Sequence, residues 1–253
     1  MTAENSPQFN RHEVVWTEEK IKNFWNSFDG SGGIDYFSKT ASRKIFGLSK
    51  KYLKKGGKIL DYGCGEGDLI GYLLAKGITC QGLDYSEKAL AKVEKKFAGH
   101  PQFHGVMLSG SVSSKNIDAG AFDFIFSIET LEHALPAQLP LVLDELFHLL
   151  KPGGYLFITV PNSEKLGKYK TLCPDCGAVF HYMQHLNSFS EGGISDLLAK
   201  QGFEKIFCRA AFLGGSQGIF HKMKYSLILL LAKLLGKKPF SPHLIYLGRK
   251  KRN

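Results

Sequence analysis

Ile59-Leu60-Asp61-Tyr62-Gly63-Cys64-Gly65-Glu66-Gly67, followed seventeen residues later by Asp84, decides how the rest of this chain is read. A short apolar run that ends in GxGxG and opens a helix is a strand-to-helix turn. Its backbone can pass close to a bound nucleotide because no Cβ atoms intervene. Asp84 ends the next apolar run, where a carboxylate can accept both hydroxyls of a ribose, and Tyr85 beside it can cover an adenine. Asp61 stands inside the turn, where it would repel a pyrophosphate and neutralise an ammonium. Together with GxGxG in place of GxGxxG, this favours S-adenosylmethionine over NAD, with a nucleotide-binding oxidoreductase as the rival reading.

Outward from this turn the chain alternates. Strands are expected at Lys58–Tyr62, Ile78–Asp84, Phe103–Leu108, Phe122–Ser127, Tyr155–Val160, Phe203–Ala211 and His243–Gly248. Helices are expected at Asp68–Lys76, from Ser86 to Phe97, at Leu139–Leu150 and at Ile194–Lys200, with Lys151-Pro152-Gly153-Gly154 as a helix stop and turn. Strand–helix alternation with short connections implies an α/β, doubly wound parallel sheet covered on both faces. Before it, the set Ile21, Phe24, Trp25 and Phe28 falls at helical spacing, and a second helix is expected from about Tyr36 to Tyr52.

The strings ILDYGCGEGDL, GLDYS, FDFIFSIETLEH and LKPGGYLFITVPN, in that order, resemble the class I, Rossmann-like methyltransferases. Within that class they are most similar to the branch of the ubiquinone-pathway O-methyltransferases. The resemblance covers roughly residues 35–205 and implies a seven-stranded, mostly parallel sheet whose last strand is antiparallel. It implies that Gly63, Gly65 and Gly67 line S-adenosylmethionine, with Asp61 and Cys64 in the same turn, that Asp84 holds the ribose, and that Ser127 lies beneath the methionine part. Where such enzymes often carry an Asp for the adenine amino group, this chain has Ser111 and Val112, so a hydroxyl or the backbone takes that place. One methyltransferase domain of 253 residues follows: a helical N-terminal cover (1–55), a cofactor-binding core (56–165), a Cys/His insert (166–190) and the rest of the sheet (191–253) with a basic apolar insert at 212–242. A cofactor-binding module without catalysis is the remaining alternative.

Methyl transfer from a sulfonium is an in-line displacement, so positioning supplies much of the rate, and an oxygen nucleophile also needs its proton removed. Glu129-Thr130-Leu131-Glu132-His133 ends the fourth strand, at the carboxyl edge where ligands bind in such sheets. His133 is the expected base, with Glu129 and Glu132 beside it. The ExxEH pattern also resembles a metal-binding arrangement in some ubiquinone-pathway enzymes and in small-RNA 3′-terminal 2′-O-methyltransferases, which would place Mg²⁺ there. Hydroxyl methylation of a small or lipid-like acceptor is the expected reaction, with a saccharide or RNA hydroxyl as the alternative. Tyr36 is expected at the acceptor, because the N-terminal segment usually closes over the methyl group in enzymes of this kind.

Cys173-Pro174-Asp175-Cys176-Gly177 is a thiol knuckle followed by His181 and His185, a C-x2-C-x4-H-x3-H pattern with four ligands suited to structural zinc. His185 has a second reading, since His185-Leu186-Asn187-Ser188-Phe189-Ser190 resembles a segment in which the His faces the acceptor. The chain has five cysteines, an odd number, and the knuckle reads equally as reduced thiols in a cytoplasmic protein.

The net charge of +10 has one source. No Asp or Glu follows Glu204, whereas eleven Lys and Arg do, so the first 204 residues are nearly neutral with 22 basic against 23 acidic side chains. Within this tail, residues 219–238 hold a Leu-rich run flanked by lysines, too short and too charged to span a bilayer. It is suited to an anionic membrane surface at the inner face of the membrane, or to plain packing. Nucleic acid fits less well, because few aromatic side chains interleave the charges. The sequence carries no signal for an oligomeric state.

Overall fold

The computed structural model describes residues 9–27, 37–109, 117–213 and 241–252. In chain order the elements are β1 (His12–Glu13), α1 (Glu18–Ser27), α2 (Phe37–Ser49), β2 (Ile59–Tyr62), α3 (Asp68–Leu74), β3 (Cys80–Asp84), α4 (Glu87–Phe97), β4 (Phe103–Leu108) and β5 (Phe122–Ile128). Then follow α5 (Leu139–Leu149), β6 (Leu150–Pro161), β7 (Lys170–Leu172), β8 (Ala178–His181), α6 (Glu191–Lys200), β9 (Phe203–Ala211) and β10 (His243–Lys250). Seven strands form one sheet in the order β4-β3-β2-β5-β6-β10-β9. All are parallel except β10, which runs antiparallel to both β6 and β9. The expected sheet, with its reversed last strand, is the one observed.

The central strands β2 and β5 are buried along their whole length, as strands covered on both faces must be. One face packs Leu60, Ile125, Leu156 and Ile158 against Leu143 and Leu146 of α5 and Ile194 and Leu198 of α6. The other packs Ile59, Phe124, Phe126 and Phe157 against Ile45 of α2, Leu69 and Leu73 of α3 and Leu90 and Val93 of α4. Cys64, Cys80 and Cys208 are small buried members of these two cores. Local signals set the helix starts: Ser86 Oγ accepts the Ala89 N–H and Ser190 Oγ accepts the Gly193 N–H.

Two stretches differ from the sequence reading. Lys151-Pro152-Gly153-Gly154 is not a free turn. It lies within β6, where Leu150 pairs with Phe122 and Tyr155 with Phe124, so the glycines form a bulge at the strand's entry. The Cys/His insert is a hairpin, β7 antiparallel to β8, and β1 adds to it in parallel. That three-stranded sheet is possible because residue 177 is glycine: at φ +77 a Cβ there would come 2.5 Å from the carbonyl of Asn10. Tyr36, Ser111, Val112 and the basic apolar run 219–238 lie outside the described residues. Among the described residues no helix is long and apolar enough to cross a membrane.

At the bottom of the sheet, far from the strand ends that carry the site, Asp123 staples the connection before β2 to the start of β6. Its oxygens meet Lys54 at 2.9 Å, Lys151 at 2.6 Å and the Lys58 N–H at 3.2 Å. Burial alone would raise this carboxyl, but these donors hold it at about 2. A carboxyl depressed on folding stabilises above its unfolded pKa, and that contribution is lost as pH falls from about 4 toward 2. The Asp123→Asn variant should lose about 1–2 kcal/mol at pH 7, a figure reduced for the exposure of both lysines. Urea unfolding should show this deficit shrinking as the pH is lowered to 3.

Candidate active site

β2 delivers the glycine turn to the carboxyl edge of the sheet. The N–H groups of Gly63 and Cys64 both donate to the Leu83 carbonyl, at 2.7 and 3.0 Å, which folds the turn back over β3. Gly63, Gly65 and Gly67 have φ of +80°, +50° and +75°, in the region only glycine adopts without strain. A Cβ at Gly63 would run into the Thr130 side chain. Asp84 accepts the Gly65 N–H at 2.8 Å and the Ser86 N–H at 2.9 Å, so the carboxylate is held rigidly beside the turn. Burial raises its carboxyl while those N–H groups oppose the shift. Asp61 is buried and accessible only from the cleft. Burial, then the charges of Asp84 and Asp68, push it up to about 8.

A cleft of about 1190 Å³ extends from this turn past the end of β5 and along α5. Asp61, Gly63, Cys64, Gly65, Asp84 and Tyr85 line one end, with Ser109. Ser127 does not line it: the residue is wholly buried, and its Oγ has no hydrogen-bond partner among the described residues. The expectation that Ser127 lies beneath the methionine part puts it one layer below the cleft wall, which here is Ile128, Glu129 and Thr130.

The other end is built on the strand-end pattern ExxEH. Glu129 takes φ +48, and its Oε1 stands 3.7 Å from His243 Nδ1. Glu132 is fully buried, and neither carboxylate oxygen has a hydrogen-bond donor among the described residues. Burial and then the Glu129 charge push its carboxyl well above the usual range. His133, expected near neutrality, is instead lowered to about 3 by burial and by the charge of His185. It is therefore an uncharged imidazole at any working pH, a hydrogen-bond acceptor but a weak base by itself. Its ring meets the edge of Trp25 at 4.7 Å and His185 at 4.9 Å.

Trp25 and Gln184 were not anticipated. Trp25 Nε1–H donates to Gln184 Oε1 at 2.9 Å, and Gln184 Nε2–H donates to the His133 carbonyl at 3.0 Å. Gln184 is wholly buried at φ +57, so the insert, α1 and the ExxEH turn meet at one amide. No pattern in the sequence marks a glutamine for this task. Glu164 also went unremarked, although it follows the carboxyl end of β6 and could have been sought there for the same reason as Glu129.

The four-ligand zinc site expected from Cys173, Cys176, His181 and His185 is not assembled. Among the described residues no cysteine belongs to a group with metal-ligand spacing. The reason is the strand between them: β8 carries His181 three steps from Ala178, roughly 10 Å at strand rise, away from the knuckle. Cys173 and Cys176 remain free thiols, partly exposed at the turn. His181 and His185 turn instead to Glu164. Two sets do have suitable spacing, with ligand atoms within 4.8 Å: Glu132, His133 and His185, and Glu164, His181 and His185.

Comparison with known proteins agrees with this architecture. A family model described as a methyltransferase domain matches residues 35–206. An uncharacterised methyltransferase of Synechocystis sp. is 33% identical over 107 residues, 42% of this chain and 48% of that protein. The ubiquinone biosynthesis O-methyltransferase of Coxiella burnetii is 35% identical over 115 residues, 46% of this chain and 48% of that protein. The chain spans about half the length of the curated relatives it matches. A solved structure of the 1,6-didemethyltoxoflavin-N1-methyltransferase of Burkholderia thailandensis, holding 1,6-didemethyltoxoflavin and S-adenosylhomocysteine, shares the fold at a TM-score of 0.63 and 17% identity. The alignment covers 94% of this chain and 92% of that one. The glycine turn, Asp84 and five strands of the large sheet thus fall within the matched segment, and the chain belongs to the methyltransferase domain family, in its class I, S-adenosylmethionine-dependent branch.

Proposed function

We propose that this protein methylates a hydroxyl group on a small or lipid-like acceptor, with S-adenosylmethionine as donor. The observation that carries the reading is the convergence of Glu129, Glu132, His133 and His185 on the cleft end opposite the nucleotide turn. These are proton-accepting and lone-pair groups, which a hydroxyl nucleophile needs. The curated relatives named as ubiquinone biosynthesis O-methyltransferases favour oxygen as the target.

The residues present suit the cofactor. The glycine turn presents the bare backbone of Gly63 and Gly65 to the cleft, and Asp84 is fixed beside it to take the ribose hydroxyls. Asp61 is a buried acid that ionises only reluctantly, so it suits the ammonium of a methionine part, whose charge would restore its carboxylate. When bound, S-adenosylmethionine supplies an electrophilic methyl group on a sulfonium. Ile21, Trp25, Phe37, Leu135 and Met183 line the cleft toward the acceptor end with apolar surface and keep water from competing. There the neutral His133 accepts the hydrogen bond of the hydroxyl. Glu132, when ionised, is the stronger base of the pair because burial disfavours its charge.

One observation favours a second arrangement. Among the described residues neither Glu132 oxygen has a donor, and with His133 and His185 the carboxylate has cation-ligand spacing. An ion such as Mg²⁺ held there would acidify a bound hydroxyl.

Transfer of label from methyl-labelled S-adenosylmethionine to extract fractions tests the reaction. Recovery of the label as an ether methyl is expected, and label only on nitrogen or carbon would refute the proposal. His133→Ala should lower kcat by about 100-fold or more at unchanged affinity for S-adenosylhomocysteine. Loss of turnover on chelation, restored by Mg²⁺, would select the metal arrangement, and full turnover in chelator would remove it.

Asp61 gives a signed pH test. Its folded pKa of about 8 lies above the unfolded value, so the stability it contributes is present below about pH 4 and lost as pH rises toward 8. Asp61→Asn should therefore gain in melting temperature relative to the native chain between pH 4 and 8, level off above that, and bind S-adenosylmethionine about tenfold more weakly. A constant melting difference across that range would show that Asp61 does not carry the shift.

A further inference from the structure

Glu164, His181 and His185 lie against the acceptor end of the cleft. One Glu164 oxygen is 2.5 Å from His185 Nδ1 and the other is 3.4 Å from His181 Nε2. The two imidazoles stack, with centroids 4.4 Å and planes 17° apart. His181 Nδ1 faces the backbone N–H groups of Met183 and His185, each at 3.3 Å. That nitrogen must therefore hold a lone pair, and a neutral ring then carries its proton on Nε2, toward Glu164. A metal ion on the Glu164, His181 and His185 set is disfavoured on this ground, because it would have to displace that proton.

The same reasoning applies to His185. A carboxylate accepts, so the nitrogen facing it donates: Nδ1 carries the proton and Nε2 keeps its lone pair. Burial alone would raise the Glu164 carboxyl, but the hydrogen bond from His185 and the nearness of both imidazoles outweigh it, and the group stays below its ordinary range as a carboxylate. His133 follows suit. Its Nδ1 faces the Gln184 carbonyl at 3.5 Å, which leaves its Nε2 as the free lone pair.

We propose that Glu164 is a positioning residue. By accepting the Nδ1 proton of His185 it fixes that ring as the tautomer whose Nε2 lone pair serves a ligand beside Glu132 and His133. His181, with its Nε2 3.4 Å from the second oxygen and its ring stacked on His185, keeps the carboxylate from turning away. The proposal rests on the reading of this end of the cleft as the acceptor compartment. It holds whether the lone pair meets a hydroxyl proton or a cation, since both require the same tautomer. A carboxylate behind an imidazole orients the ring and makes its far nitrogen a better donor of electrons.

Two-bond proton–nitrogen correlation spectra of protein labelled with ¹⁵N-histidine read the tautomer directly. The native protein should show His185 protonated on Nδ1 and bare on Nε2, assigned by its loss in His185→Gln. In Glu164→Ala that signal should move to a mixture of tautomers or to the Nε2–H form. kcat for methyl transfer should fall about 10- to 100-fold with affinity for S-adenosylhomocysteine unchanged. A native His185 protonated on Nε2 overturns the proposal, and that spectrum decides it even if the variant does not fold. An unchanged tautomer in Glu164→Ala overturns it equally. The expected tautomer together with label found only on nitrogen acceptors would uphold the role of Glu164 and remove only the hydroxyl assignment.

Discussion

The parallel pairing of β2 with β5 is the constraint on which the site depends. Tyr62 lies opposite Ser127, so the two strands end at the same level and release their loops side by side. Gly63 then passes directly beneath Thr130, close enough that no other residue fits. Thr130 Oγ1 closes the junction by donating to the Tyr62 carbonyl at 3.2 Å. A one-residue slip of this register would reverse every side chain of β5 between the two cores and carry Glu129, Glu132 and His133 away from the nucleotide turn. The glycine turn and the ExxEH turn are adjacent because one ladder of hydrogen bonds makes them so.

The site is also an electrostatic compromise. Asp61 and Glu132 are acids withdrawn from water, Asp84 is half-buried, and Glu132 has no donor of its own among the described residues. Such groups cost stability in the free protein. They remain tolerable because the sheet around them is apolar on both faces and because two backbone amides steady Asp84. The unpaired positions are those where a cationic or hydroxyl-bearing ligand would supply what the protein withholds.

Much of this was legible in the sequence. The strands, the glycine turn, Asp84 and the ExxEH turn are local signals, set by periodicity, by sterics at glycine and by strand ends, and they fall where expected. The zinc reading failed for a reason that spacing along the chain does not encode. A strand between Cys176 and His181 stretches the interval, whereas a loop would have closed it. Trp25, Gln184 and Glu164 were illegible for the converse reason: they come from three separate segments, and only tertiary folding makes them neighbours. The protonation of His133 was misjudged because its ordinary pKa says nothing about the water it loses on burial.

The way α1 is fastened has a consequence for the order of events. Asn26 accepts from Ser86 Oγ–H and Lys22 pairs with Glu87, both next to Asp84 in the chain. Trp25 is tied to Gln184, and Glu18 to Gln138, on the acceptor rim. A single helix therefore seals two compartments by pins on both sides. Lifting it would uncover both ends of the cleft in one step.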